Sequence, residues 1–411
     1  MEDMDFILSS QVGLLSIVVL LLYIGEIISI RTKAWVPSVF VTACLFLGAY
    51  WTFLPADAIS KAGIPGGTAV MLMAILVTNM GTLLSVRELM AQWRIIVVAL
   101  GGIAGIVTLL LTVGQHFLDW NTVVVATPPL VGGLVSSILM SEGAAKLGYT
   151  ELSVMAILIY VVQGFAGYPL TSIMLKKEGL RLLHLYRAGE LGPVYHENEK
   201  TEAEEDKKDT SKSARIFTAK HSQYDTSYSK FFRLALLAMI AFATSKLFAM
   251  VGVTVNGFVL CLLFGIIGKS IGLVETNILN NAGGFGFAIM ALMLFIFDTL
   301  KKATPEMVTQ LMAPLLIIIV VGVAGMYVFS AIIGRLVGLT KEMAFAASLT
   351  ALYGFPADYV ITMEVIESLA ETAGERRILV EKMLPSMLVA GFITVTIVSV
   401  ILAGIMVNWI R

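Results

Sequence analysis

The sequence predicts an all-α polytopic membrane protein made of two inverted-topology repeats, with about ten transmembrane helices plus two re-entrant hairpins. Three observations carry that expectation. Of 411 residues, 58% are hydrophobic and 14% charged, against roughly 25% charged in soluble domains, and the mean hydropathy is +0.88. Motifs also recur in order: Gly66-Gly67, fourteen residues and Thr82-Leu83 return as Gly283-Gly284, fourteen residues and Thr299-Leu300. Gly132 with Glu142 returns as Gly354 with Glu364, and Gly164-Phe165 as Gly391-Phe392. The offsets of 217, 222 and 227 drift steadily, as two copies with different loop lengths require. Finally, the fifth apolar segment of each copy is interrupted by proline and glycine.

Each half holds six apolar segments near the roughly 20 residues that cross a bilayer. The first half gives 12–30, 35–53, 68–86, 95–117, 123–147 and 152–175; the second gives 233–251, 254–273, 284–300, 311–334, 343–368 and 378–408. Segment 12–30 follows an acidic start and is long enough to remain a spanning helix, so no cleavable signal is expected. Cys44 and Cys261 lie inside apolar segments and read as small buried hydrophobes, with no disulfide framework or metal cluster available.

The fifth segments read Thr127-Pro128-Pro129-Leu-Val-Gly132-Gly133-Leu-Val-Ser136-Ser137 and Tyr353-Gly354-Phe355-Pro356-Ala357-Asp358-Tyr359. Proline removes a backbone donor and glycine weakens the helix, so polar groups are freed at membrane depth. Lipid cannot satisfy them, and a re-entrant hairpin or broken helix buried in protein is expected; a kinked spanning helix is the plainer alternative. The organisation that follows is an N-terminal membrane repeat over 1–175 with a hairpin at 123–147, a polar linker over 176–232, and a C-terminal repeat over 233–411 with a hairpin at 343–368. The mixed-charge run Glu197–Lys220 is too poor in apolar residues to build a core. Within the linker, Tyr224 to Ser229 is either a regulatory site or plain solvated chain.

Basic residues concentrate on the cytoplasmic side of membrane proteins. If both fifth segments return to the side they came from and the N-terminus is outside, the inner side collects Arg31, Lys33, Arg87, Arg94, the twelve basic residues from Lys176 to Arg233, Lys269, Arg335, Lys341, Arg376, Arg377 and Lys382, which is 22 of 28. A spanning first segment would export either the basic linker or the four basic residues before it. The favoured arrangement has both termini outside, a cytoplasmic linker and two five-crossing halves in opposite orientation, in a cell membrane such as a bacterial inner membrane. The formal charge of −1 gives no sign of a nucleic-acid partner. The partners expected are the bilayer and a small-molecule substrate.

Ten helices in two inverted halves, a Gly-rich hairpin between the fourth and fifth helix of each half and a large cytoplasmic connecting loop resemble the glutamate:sodium symporter family and its relatives, the 2-hydroxycarboxylate transporters. The similarity covers the whole chain as architecture. Those families carry a Gly-Gly-x-Gly hairpin signature, whereas this chain has Gly132-Gly133 without a glycine at 135, and Gly354-Phe-Pro in the second copy. Substrate identity therefore does not transfer. The resemblance implies sodium-coupled uptake, a homodimer and an elevator-type motion of a hairpin-bearing domain against a scaffold.

The residues also argue chemistry by themselves. A sodium ion needs hard oxygen ligands, which hairpin tips supply as carbonyls, hydroxyls and carboxylates. Thr127, Asn79, Ser137, Asp358 and Thr362 are the candidate ligands, and for Asn79 a helix cap is the alternative. A carboxylate at a re-entrant tip, Asp358, is expensive in lipid and marks function, although a helix N-cap after Pro356 is a structural alternative. Gly132, Gly133, Ser136, Ser137, Gln163, Gly354, Pro356, Asp358 and Tyr359 are the candidate substrate contacts. For Gln163 simple interhelical bonding competes with substrate contact, and for Tyr353 packing competes with lining a cavity. Glu142 and Glu364 are expected toward the hairpin mouths, and for Glu364 a solvated helix end is favoured over a proton carrier. No lysine or arginine is placed in the membrane core to clamp a carboxylate, which suits a zwitterionic amino acid or small carboxylate held by hairpin-helix N-termini. Proton coupling, export and a channel are the alternatives. An enzyme is disfavoured, because His116, His184, His196 and His221 all lie outside the middle of apolar segments and a Ser136 or Ser137 nucleophile lacks a base; no organic cofactor is expected.

Overall fold

The computed structural model describes residues 10–83, 92–190, 225–250, 257–394 and 398–411. Among them there are 17 α-helices and no strand. In chain order they are α1 (Gln11–Arg31), α2 (Ser38–Thr52), α3 (Ala58–Lys61), α4 (Gly66–Leu83), α5 (Trp93–Thr112), α6 (Trp120–Leu130), α7 (Leu134–Lys146) and α8 (Thr150–Arg187). The second half continues with α9 (Ser227–Met250), α10 (Gly257–Ser270), α11 (Ile278–Asn281), α12 (Phe285–Asp298), α13 (Pro305–Leu336), α14 (Lys341–Leu349), α15 (Ala357–Leu369), α16 (Ala373–Ile393) and α17 (Ser399–Met406). Six of them, α1, α4, α5, α8, α9 and α13, are long and apolar enough to cross a membrane. This is the make-up of a multi-pass membrane protein.

The order of elements repeats. Each half runs through two helices, a four-residue helix, two more helices, a pair separated by a break, and a further helix, after which the second half adds α17. The stretch expected as linker is helical at both ends, because α8 continues to Arg187 and α9 starts at Ser227. Leu175, Gly179 and Leu182 are buried along that extension at helical spacing while Lys177, Leu180 and Arg181 are exposed, which gives it an inner and an outer face. The run Glu197–Lys220 and Tyr224 lie outside the described residues.

The chain divides into two compact units that cut across the sequence halves: residues 1–63, 92–182 and 296–411 form one, and 64–91 with 183–295 the other. In the first unit α5 and α13 pack through glycine. A side chain on Gly105 would strike the Gly325 carbonyl, and one on Gly325 would strike the Gly105 carbonyl. The next neighbours correspond too, Phe329 beside Gly105 and Leu109 beside Gly325. The pairs share an offset of 220, within the drift of the sequence motifs.

Each broken segment also has its two ends together. Asn121 at the start of α6 and Tyr149 just after α7 both donate to the Arg411 carbonyl, at 2.7 and 2.6 Å. Thr340 before α14 donates to Glu178 at 2.8 Å, while Leu369 at the end of α15 packs against the neighbouring Gly179. These two meeting points lie near opposite ends of α8, about 40 Å apart at 1.5 Å per residue.

In the second unit Gly81 of α4 and Gly265 of α10 are each pressed against the other helix's backbone, so neither has room for a side chain. Asn79 accepts the Leu279 N–H at 2.8 Å and Thr82 accepts that of Asn277 at 3.1 Å, which supplies the start of short α11 with acceptors it lacks locally. Asp225 pairs with Arg233 and, at 3.5 Å, with Lys230. Cys261 is buried as expected, but Cys44 is exposed on the outer face of α2.

Candidate functional site

The first break follows directly from its sequence. Pro128 and Pro129 close α6 without donors, and Gly132 and Gly133 then take φ of +104° and +91°, a region that residues with side chains rarely adopt. The carbonyls exposed there are answered locally. Ser136 Oγ lies 2.7 Å from both Gly132 O and Gly133 O, Ser137 donates to Gly133 O at 3.3 Å, and Thr127 donates to Val123 O at 2.7 Å. Thr127, Ser136 and Ser137 are fully buried. Their hydroxyl protons are committed to these carbonyls, and each oxygen keeps lone pairs that could face a ligand.

The second break is built differently. α14 tightens into a 3₁₀ turn over Thr350–Leu352, the chain turns at Gly354 with φ of +67°, and α15 starts after Pro356 with no side-chain cap. Asp358 falls in the first turn of α15, where the helix dipole favours a negative charge. It is not the N-cap residue, a position Pro356 holds; Asp358 instead accepts the Tyr359 N–H through Oδ1 at 2.6 Å. Its Oδ2 is buried and has no hydrogen-bond partner, and among the described residues no ion pair involves it. That oxygen lies in a notch of α16: any side chain on Gly391 would collide with it, and Thr350 lines the same notch. Thr362 donates to the Asp358 carbonyl at 2.6 Å, one turn along.

α8 relates the breaks to one another. Gly167 faces Leu352 and Tyr353, and Tyr353 donates its phenol proton to Thr171 at 2.7 Å. Tyr353 also packs on Tyr168, with ring centroids 5.3 Å apart. On the other side, Ser141 of α7 and Ser153 of α8 lie 2.8 Å apart, so that antiparallel register brings Gly133 level with about Val161. Gln163 sits between these levels. It shares a helical face with Gly167 and Thr171, at i, i+4 and i+8. It is 1% exposed, and neither end of its amide has a partner.

Among the described residues, buried side-chain nitrogens and oxygens without partners belong to Asn79, Gln163 and Asp358. The structure gathers Gly132, Gly133, Ser136, Ser137 and Thr127 at the first break; Gly354, Pro356, Asp358, Tyr359 and Thr362 lie at the second. Asn79 belongs to the second compact unit, where its Oδ1 accepts the Leu279 N–H and its amide nitrogen is buried without a partner. Glu364 is not a solvated helix end. It accepts from Ser29 Oγ at 2.8 Å, Ser38 N–H at 3.0 Å and the Ser38 hydroxyl, and so places a carboxylate at the start of α2. Its counterpart Glu142 is exposed.

Sequence reading passed over Gly391, Thr350, Gly167 and Thr171 as site residues. The repeated Gly-Phe pair did mark Gly391, but its neighbour on another helix could not be read from the motif. No family model matches the chain, and no curated protein matches it.

Proposed function

We propose that the protein is a secondary active transporter, a symporter that couples sodium entry to uptake of a small amino acid or carboxylate. Asp358 carries this reading: a buried carboxylate oxygen without a partner, in a helix break, beside a notch kept open by glycine. Leaving such an oxygen unpaired is costly. A small cation binding at Oδ2 would remove that cost, and its hard-oxygen chemistry suits sodium, with the Thr350 and Thr362 hydroxyls and carbonyls of the break as further donors. Asn79 is left out of this ligand set.

The geometry of the breaks supports the transport half of the reading. Segments whose ends meet are re-entrant hairpins, and meeting points about 40 Å apart along α8 suit hairpins inserted from opposite faces of a hydrocarbon core about 30 Å thick. Together with the reciprocal Gly105 and Gly325 contact, this supports two inverted repeats, about ten crossings, both termini outside and a cytoplasmic linker. The motion we assign is an elevator-type exchange of access, in a homodimer, in the cell membrane. The protein is not an enzyme in this reading, and it uses no organic cofactor.

The test is thermal unfolding of the purified full-length protein in sodium chloride against choline chloride. Sodium should raise the midpoint in the wild type, because a ligand of the folded state stabilises it by mass action, and not in Asp358→Asn. Solute uptake into proteoliposomes that follows the pH gradient and ignores sodium would sink sodium coupling in favour of proton coupling. Topology is tested separately by Trp120→Cys and Tyr149→Cys, with Cys44 and Cys261 replaced. Both should react from one side of the membrane; reaction from opposite sides would end the hairpin assignment.

A further inference from the structure

Gln163 has no task in the cation site, yet it is the most incompletely satisfied side chain among the described residues: donor and acceptor are both buried and both unpartnered. Interhelical bonding, the structural explanation for a glutamine in mid-helix, is not made. The helix around it carries two close aromatic approaches. Gly164 leaves room for the Tyr168 phenol, Gly167 leaves room for the Tyr353 ring, and Tyr353 is fixed by Thr171. Along α8 it lies about 20 Å from Thr150 and about 22 Å from Glu178, and α7 and α15, each 13 residues long, reach about 20 Å inward from those ends. Both breaks therefore come to the level of this one amide.

We infer that Gln163 reads the transported solute, and that the solute offers it an uncharged group that both donates and accepts hydrogen bonds, a hydroxyl or a carboxamide. The argument is one of complementarity. A carboxylate accepts only, so it would satisfy the amide NH2 and leave the glutamine oxygen facing negative charge; an ammonium donates only and leaves the NH2 unanswered. A hydroxyl or carboxamide answers both ends, and Tyr353, held by Thr171 two turns along the same face of α8, adds no charge there. No ion pair reaches this face of α8 from Gln163 to Thr171 among the described residues, so nothing there neutralises a second negative charge on a dicarboxylate. Within the amino-acid or carboxylate class of the transporter reading, this selects a solute with a single carboxylate and an uncharged hydroxyl or carboxamide. Sites built to hydrogen-bond a substrate group discriminate strongly against analogues that leave the site's own polar atoms unpaired.

This inference rests on the transporter reading, so the experiment separates the two. Purified full-length protein in sodium chloride is titrated with L-glutamine, L-serine, L-glutamate and L-malate, with binding read by calorimetry, and the same probes are offered to proteoliposomes. Glutamine or serine should bind the wild type more tightly than glutamate or malate. Gln163→Leu should weaken the preferred probe by roughly 10- to 100-fold and flatten the ranking. If that variant does not fold, Gln163→Glu preserves the shape but replaces the NH2 donor with an acceptor, and it too should lose the preference for glutamine and serine. A purely structural glutamine would change the unfolding midpoint and leave the ranking as it is, which would overturn the inference. Sodium-dependent uptake of glutamate or malate in preference to the others would overturn it while the transporter reading stood. No sodium shift in the wild type and no uptake of any probe would overturn both.

Discussion

The two breaks occupy equivalent places in the two halves, and they solve the same physical problem in opposite ways. Both free backbone groups within an apolar segment. At the first, Ser136 and Ser137 turn back onto the carbonyls of Gly132 and Gly133, and the loop is closed on itself. At the second there is no such serine; Asp358 spends one oxygen on the Tyr359 N–H and leaves the other unpaired against Gly391. The two interruptions share proline and glycine, and at the second a buried carboxylate oxygen is left without a partner. In the transporter we propose, the first break is a wall and the second carries the cation chemistry.

The largest expected effect follows from that contrast. Asp358→Asn keeps the shape and the Tyr359 contact but removes the charge, so sodium-dependent uptake should fall by about 100-fold or more while the protein still folds, because no partner is orphaned by the change. Comparable loss in Ser136→Ala, measured side by side, would erase the distinction between the breaks.

Gly391→Ala should be next. The added methyl meets the Asp358 oxygen, and relieving the clash requires the carboxylate or α16 to shift, at about 1–3 kcal/mol in chemical denaturation. The sodium response should weaken in parallel. Unchanged stability with an unchanged sodium response would mean that the notch is not where the cation acts.

Ser136→Ala removes a donor shared by two buried carbonyls and should cost about 1–2 kcal/mol, with sodium dependence retained. The smallest effect sharpens the comparison at the outer ends of the segments. Glu364→Gln weakens the carboxylate contact at the start of α2 and should cost about 0.5–1 kcal/mol, whereas exposed Glu142→Gln should stay within about 0.5 kcal/mol of wild type. Equal values for the two glutamates would show that the α2 contact is not a stabilising one.

Much of this molecule was legible in its sequence because the controlling physics is local. Apolar run length set the membrane class, and Pro128-Pro129, Gly132-Gly133 and Gly354-Phe-Pro356 located both breaks, since a missing donor or a positive φ acts on its own residue. Asn79, Gln163 and Asp358 stood out as polar residues in apolar surroundings, and all three are buried with an unpartnered atom. What became of each was decided elsewhere in the chain. Asn79 took up the Leu279 N–H of a short helix 200 residues away, Glu364 reached the start of α2, and the notch at Asp358 depends on a glycine of α16. Cys44 looked like a core residue and faces outward, because an apolar side chain in a membrane segment is equally at home against protein or lipid. Composition determines that a segment avoids water and where its backbone must break; only tertiary contact decides which buried polar atom finds a partner and which is left for a ligand, because that depends on residues brought together from distant parts of the chain.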